Sequence, residues 1–283
     1  MILVADSGST CTNWIVIENK TILLTFDTIG FNPYFTNSKE IKTELISKFP
    51  ELINQNRIKE IFFYGAGCSS DKMNRIIYNG LYTFFQNSII HVENDLLAAA
   101  RALFQNESGI AVIIGTGANT CYYNGSEITK NISSLGFILG DEGGGDYLGK
   151  LFIQAYLNKE LSSEIETKFN AEFNLSANDI LHAVYKEPKP NRFLASFTKF
   201  IHTHSKNPVV TELITKSFND LFTKHICKYK NYNNIKIRAT GSIAFFFQDF
   251  FKNAAQKFNS KIDLIEKEPI QLLTKYHLNN SDN

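Results

Sequence analysis

Ile110-Ala111-Val112-Ile113-Ile114-Gly115-Thr116-Gly117-Ala118-Asn119 repeats the rhythm of Ile2-Leu3-Val4-Ala5-Asp6-Ser7-Gly8-Ser9-Thr10. Each is a short apolar run of the buried-strand type that breaks into small and hydroxylated residues. A hairpin follows both times: 13–18 and 21–26 turn at Asn19-Lys20, while 121–123 and 127–129 turn at Asn124-Gly125. Setting Gly8 over Gly117 superposes the two strand, turn and hairpin units and predicts a duplicated fold whose halves each offer a backbone loop. Chance likeness of two hairpins is the alternative.

Working outward, Ser38 caps a helix with apolar residues at Ile41, Leu45, Ile46 and Phe49, closed by Pro50. The segment 61–64 reads as a strand, 73–85 as a helix, 89–92 as a strand and 96–104 as a helix. The loop Gln105-Asn106-Glu107-Ser108-Gly109 marks a domain boundary. Beyond the second unit the pattern is mainly helical to Lys228, with a capping sequence at Ser176-Ala177-Asn178-Asp179. A strand at 235–239, a helix at 243–258, a strand at 262–265 and a short helix from 270 complete the chain. The expected domains are 1–107 and 108–267, sharing a cleft, with a helix at 268–279 crossing back onto the first.

Composition sets the outer limits. The 283 residues are 43% hydrophobic and 20% charged, which is globular and excludes fibrous or disordered classes. With 29 basic against 28 acidic residues there is no global field for nucleic acid or an anionic membrane, so an anionic ligand must be held locally. No apolar stretch approaches the ~20 residues of a membrane span. Met1 to Asp6 lacks a basic n-region, and the four cysteines are scattered without a C-x-x-C pair; a cytoplasmic protein with reduced thiols is expected.

Five segments stand out chemically, each with a plain structural alternative. Asp6-Ser7-Gly8-Ser9-Thr10 is either a hairpin turn or a phosphate cradle, with Asp6 placed to hold magnesium. Asn94-Asp95 is a helix N-cap or carries, at the strand's carboxyl end, an acid facing substrate. Gly140-Asp141-Glu142-Gly143-Gly144-Gly145-Asp146 cannot build core; it is an exposed turn or a loop whose acids bind a polyhydroxy ligand. Gly30-Phe31-Asn32-Pro33-Tyr34 suits a sugar loop or a buried turn. Gly241-Ser242 opens a helix that either approaches a nucleotide or only turns the chain. The six histidines are expected at the surface or an interface, and Phe245-Phe246-Phe247 in the core.

Taken in order, Asp6 to Thr10, Phe31-Asn32-Pro33, Asn94-Asp95, Gly115 to Asn119, Gly140 to Gly143 and Gly241-Ser242 resemble the N-acetylglucosamine kinase branch of the BadF/BadG/BcrA/BcrD-type ATPases. The resemblance spans nearly the whole chain. It implies an α/β protein of two ribonuclease-H-like, actin-like ATPase domains with mixed sheets flanked by helices, and ATP and Mg2+ as cofactors. It further implies phosphoryl transfer to the primary hydroxyl of N-acetylglucosamine, glucosamine or N-acetylmuramate. By the family pattern Ser7, Gly8, Ser9 and Thr10, then Gly115, Thr116 and Gly117, contact phosphates. Gly241 and Ser242 contact the adenosine side. Asn32, Ala118, Asn119, Ser134 and Asp141 line the amino sugar, and Asp95 faces the acceptor hydroxyl as the catalytic carboxylate. A homodimer is implied, with no nucleic acid or membrane partner. Departures are plain: Cys11 replaces a basic residue, Ala118 a serine, Ser134 lies near a position often held by glycine, and Pro33-Tyr34 differs. Two other classes stay open. One is an ATPase activator of a radical dehydratase or reductase, which needs cysteines bridging an iron-sulfur cluster. The other is a binding regulator without catalysis.

Overall fold

A computed structural model of the chain describes residues 1–8 and 10–280. Two units emerge. The first comprises Met1–Asn106, Gly125–Glu127 and the C-terminal segment that opens at Glu268; the second comprises Glu107–Asn124 and Ile128–Lys267.

In the first unit five strands, β1 (Ile2–Ser7), β2 (Cys11–Glu18), β3 (Thr21–Ile29), β4 (Glu60–Gly65) and β5 (Ile89–Asn94), form one mixed sheet. Its order is β3-β2-β1-β4-β5. β1 and β2 are antiparallel, from Ile2 opposite Ile17 to Ser7 opposite Thr12, whereas β4 runs parallel to β1 and β5 parallel to β4. The Asn19-Lys20 turn closes β2 and β3 with φ of 50° and 60°, the left-handed pair a tight hairpin demands.

Alternation along β1 sends Leu3 and Ala5 to one face and Val4 to the other. The first face packs under helices Ser38–Lys48 and Asp71–Tyr82 through Ile41, Leu45, Ile77 and Leu81. The second packs under helices Asp95–Phe104 and Ile270–Asn280 through Ala98, Ala102, Ile270 and Leu273. On that side Arg101 donates to the Tyr64 hydroxyl at 2.6 Å, and Tyr64 lies 3.0 Å from Nε2 of buried His277. Burial drives the His277 pKa down to about 3, so the imidazole is neutral and shares a hydrogen bond with the Tyr64 hydroxyl. The C-terminal helix is thereby pinned to the sheet.

The second unit repeats the plan. Strands β6 (Gly109–Ile114), β7 (Ala118–Tyr123), β8 (Ile128–Ile132), β9 (Ile237–Thr240) and β10 (Ile262–Glu266) lie in the order β10-β9-β6-β7-β8. Read from the other edge, this is the order of the first sheet, with the same antiparallel and parallel neighbours. The duplication is therefore real. The register corrects its alignment: the last strand pairs are Ser7 with Thr12 and Ile114 with Ala118, so Gly8 matches Gly115 rather than Gly117. Between β8 and β9 the chain is helical, and Phe152, Phe169, Phe197, Phe200 and Phe218 interlock in the core.

Several local expectations shift. Asn37, not Ser38, caps its helix, through a capping box with Glu40, while the Ser176 and Asp179 box forms as read. The helix expected over 243–258 is two, Ser242–Phe246 and Gln248–Lys257, broken at Phe247. That break buries Phe247 but leaves Phe245 37% and Phe246 51% exposed, so only one of the three phenylalanines joins the core. His225 and His277 are buried, contrary to the surface expectation, because each gains a hydrogen-bonding partner distant in sequence. Among the described residues no helix is long and apolar enough to cross a membrane.

Candidate active site

Asp6 follows Val4 by two along β1 and so belongs to the face covered by Asp95–Phe104 and Ile270–Asn280. Asp95 is the first residue of its helix. Asn94 is the cap, accepting from Leu97 N at 2.8 Å, so the capping reading of Asn94-Asp95 falls to Asn94. Burial pushes the Asp6 pKa up to about 7, with Asp95 and then Glu268 adding repulsion. Asp95 is itself raised by desolvation, against hydrogen bonds from the Leu96 and Asp95 backbone. Glu268, just ahead of the last helix, had no local signal in the sequence.

The first loop is partly spent on its own fold. Gly8 N donates to Cys11 O at 2.9 Å, and Gly30 N donates to Thr10 O at 2.9 Å. The Ser7 hydroxyl is buried, 2.7 Å from Thr12 Oγ1, and accepts from Phe31 N at 2.9 Å. That network fastens the Phe31-Asn32 corner to β1. Ser9 lies outside the described residues. Asn32 is buried, its Oδ1 accepting from Tyr34 N at 3.0 Å and closing on Gly67, where a Cβ would come within 2.6 Å of it.

In the second unit the loop Gly115–Gly117 is stapled to the helix Gly145–Leu157. Gly145 N donates to Gly115 O at 2.9 Å and Asp146 N to Thr116 O at 2.8 Å. Under this loop sits Asp141, in a left-handed conformation with φ of 60°. Burial raises the Asp141 pKa, while Asp146, the Ala118 backbone N–H and the Ser134 hydroxyl hydrogen-bond its carboxyl. Asp146 is pushed up to about 8 by burial, then by Asp141. Asn119 turns Oδ1 inward, accepting from Thr120 N at 2.9 Å and Asn131 Nδ2 at 3.0 Å. Asp141, Ala118, Ser134 and the Gly115–Gly117 loop are thus one cluster, whereas the Asn119 side chain bonds to Thr120 and to Asn131 of β8. Neighbouring Glu142 is buried and tied to Lys224 at 2.8 Å and His225 at 2.9 Å.

Gly241, with φ of 114°, is required by a close approach: a Cβ there would stand 2.3 Å from Ile114 O. Ser242 and its five-residue helix, with Ile243, Phe246 and Phe247, wall a cavity of about 450 Å3 whose other side is Thr198, Lys199, His202 and Thr203. Such a volume suits a small organic ligand. Nothing in the sequence joined 198–203 to position 242. The four cysteines are thiols and not disulfides, and among the described residues no group of three His, Cys, Asp or Glu could hold a metal ion.

Two duplicated five-stranded units, each with a small-residue loop between its first two strands and acids beside it, define a sugar kinase of the actin-like ATPase fold. A Porphyromonas gingivalis protein provisionally classed as an N-acetylglucosamine kinase superposes with a TM-score of 0.94 at 37% identity, over 99% of this chain and 100% of its own. A Chromobacterium violaceum protein of the same provisional class gives 0.75 at 13% identity, over 97% and 98%. A ROK family glucokinase from Streptomyces griseus, in complex with glucose and AMPPNP, gives 0.58 at 13%, over 98% of each chain. These last two speak for the fold alone. No protein-family model matches the sequence, and no curated protein does. The chain belongs to the N-acetylglucosamine kinase family.

Proposed function

We propose that this protein is an ATP-dependent kinase that transfers the γ-phosphoryl group to the primary hydroxyl of N-acetylglucosamine or a close amino sugar. The observation that carries the proposal is Asp95, held at the head of its helix within electrostatic reach of Asp6, in a chain of this family. A sugar hydroxyl has a high pKa, and a loose phosphoryl-transfer transition state draws its proton off late. Asp95, made more basic by desolvation, orients that hydroxyl and accepts the proton.

Asn32, Ala118, Asn119, Ser134 and Asp141 are assigned to the sugar. Backbone N–H groups and hydroxyls of Thr10 and Thr116, with their loops, are assigned to phosphate; Cys11 supplies no positive charge there. Ser242 borders the cavity assigned, with the preceding Gly241, to the adenosine side. Asp6 fits a magnesium ion: it is a hard oxygen donor, half-buried and repelled by Asp95 and Glu268, so its own charge is costly without a cation. When bound with the nucleotide, that ion offsets charge on the phosphates. The chain is assigned to the cytoplasm, acting as a homodimer on free sugar.

The test is sugar-dependent ADP release with N-acetylglucosamine, glucosamine and N-acetylmuramate, with the sugar phosphate identified by mass. Formation of a 6-phosphate from one of them is expected. ATP turnover without any phosphorylated sugar would overturn the assignment. A brown preparation with visible absorption would favour the iron-sulfur activator class instead.

A further inference from the structure

The Asp146 carboxyl is unusual among the acids of this chain. It is 1% exposed, its Oδ1 accepts from Tyr147 N at 2.6 Å, and no donor reaches Oδ2 among the described residues. What stands at hydrogen-bonding reach of it is another carboxyl, that of Asp141. Two buried carboxylates cannot face each other in that way while both are charged; one proton between them turns repulsion into a hydrogen bond.

The surroundings decide where the proton sits. Asp141 has two further donors, the Ala118 N–H and the Ser134 hydroxyl, which favour its anion. Among the described residues Asp146 has only the Tyr147 N–H. The charged groups facing the pair are few. Lys150, one turn along the Asp146 helix, favours the anion but donates to Phe137 O at 3.1 Å and lies over the Tyr147 ring. Glu142, which repels Asp141, is held by Lys224 and His225.

We propose that Asp146 is a positioning residue of the sugar subsite: as a neutral carboxylic acid it donates from Oδ2 to the Asp141 carboxylate and holds Asp141 in place as acceptor for a sugar hydroxyl. The second anchor is covalent to the first, since the Asp146 N–H bonds Thr116 O and ties the same residue to the Gly115–Gly117 loop. Sugar and phosphate contacts are thereby registered to each other through one side chain and its own backbone. Ionisation of Asp146 would set two anions against each other beneath Gly117, whose Cα leaves no room for Asp141 to move toward it: a Cβ at 117 would stand 2.7 Å from Asp141 Oδ2.

The proposal rests on the amino-sugar assignment for its kinetic part, so two measurements are paired. Infrared difference spectra of wild type at neutral pH should show the C=O stretch of a protonated carboxyl that D146N removes and D95N does not. In sugar kinetics, D146A should raise the KM for sugar about tenfold or more with a smaller change in kcat, as expected when a buried acceptor loses its donor. D146N, which keeps a donor but cannot ionise, should recover most of that loss. It should also lose the rise in KM that wild type shows on the alkaline side. Absence of the Asp146 carboxyl band overturns the proposal whatever the substrate is; so does a D146N profile with the wild-type alkaline limb. No sugar turnover in wild type with the band present overturns the substrate assignment alone.

Discussion

Nε2 of His225 lies 2.9 Å from Oε2 of Glu142, with both side chains buried, and Lys224 Nζ reaches the other oxygen at 2.8 Å. Glu142 is the residue after Asp141, so this three-member contact holds the loop at 141–142 onto the end of the helix Pro208–Lys224. Burial alone would raise the Glu142 pKa; the bonds from Lys224 and His225 outweigh it and leave the group below its ordinary value. Removing Glu142 strips the buried His225 Nε2 of its partner, a loss of about 1–3 kcal/mol, while the half-exposed Lys224 is left to solvent. E142A is expected to lose stability of that order in urea denaturation and to weaken sugar binding. A loss within about 0.5 kcal/mol, the range of a surface substitution, would show that the contact carries little.

Asp95→Asn should leave the fold intact, because the helix cap is Asn94 and the change removes a carboxyl that burial disfavours in its charged form. Turnover should fall by about 100-fold to 10,000-fold, the usual contribution of a positioned general base. ATP affinity, measured separately by titration, should change little. Near-normal turnover in the variant would remove Asp95 from the chemistry.

Two glycines separate function from folding. At Gly117 a methyl group meets the far end of the Asp141 side chain at 2.7 Å, so G117A should raise the KM for sugar while Tm moves by only a few degrees. At Gly241 the obstacle is backbone, the Ile114 carbonyl at 2.3 Å, at a φ of 114° that side chains rarely adopt. G241A should therefore reduce stability by about 2 kcal/mol or more and lower soluble yield. Equal effects of the two on stability would contradict the distinction.

Local rules carried the sequence as far as local causes reach. The turn at Asn19-Lys20 and the Ser176 capping box are decided by a few neighbouring residues, and both form as read. The short apolar runs at 2–5 and 110–114 read as strands, and both are strands with buried residues on either face. What could not be read depends on partners far along the chain. His225 is buried because Glu142 stands 83 residues away, and His277 because Tyr64 does so at 213. Glu268 joins Asp6 only through the return of the last helix to β1. The break at Phe247 likewise follows packing, since the segment Ile243–Phe258 has no proline or glycine to announce it.

Stability should fall between mildly acidic and mildly alkaline pH. Asp6 and Asp146 have folded pKa values raised to about 7 and about 8 from 3.8, burial being the main cause for each. Above pH 4 or so the unfolded chain has released protons that the folded chain retains, so the folded state binds more protons, and unfolding becomes easier as pH rises. Each group contributes at most about 1.4 kcal/mol per pH unit, and the trend levels off once both carboxyls have ionised in the folded state. Glu142 acts in the opposite sense at the acid end: its depressed value stabilises above the ordinary glutamate range and that support is lost as pH falls through it. A Tm maximum on the acid side of neutrality follows, with a decline toward pH 8 to 9 that scanning fluorimetry can follow. D146N should flatten part of the decline, and D6N another part while abolishing turnover. Magnesium with a non-hydrolysable nucleotide should offset the share due to Asp6 and leave the Asp146 share in place. A wild-type Tm that rises steadily through this window would mean that neither carboxyl keeps its proton in the folded chain.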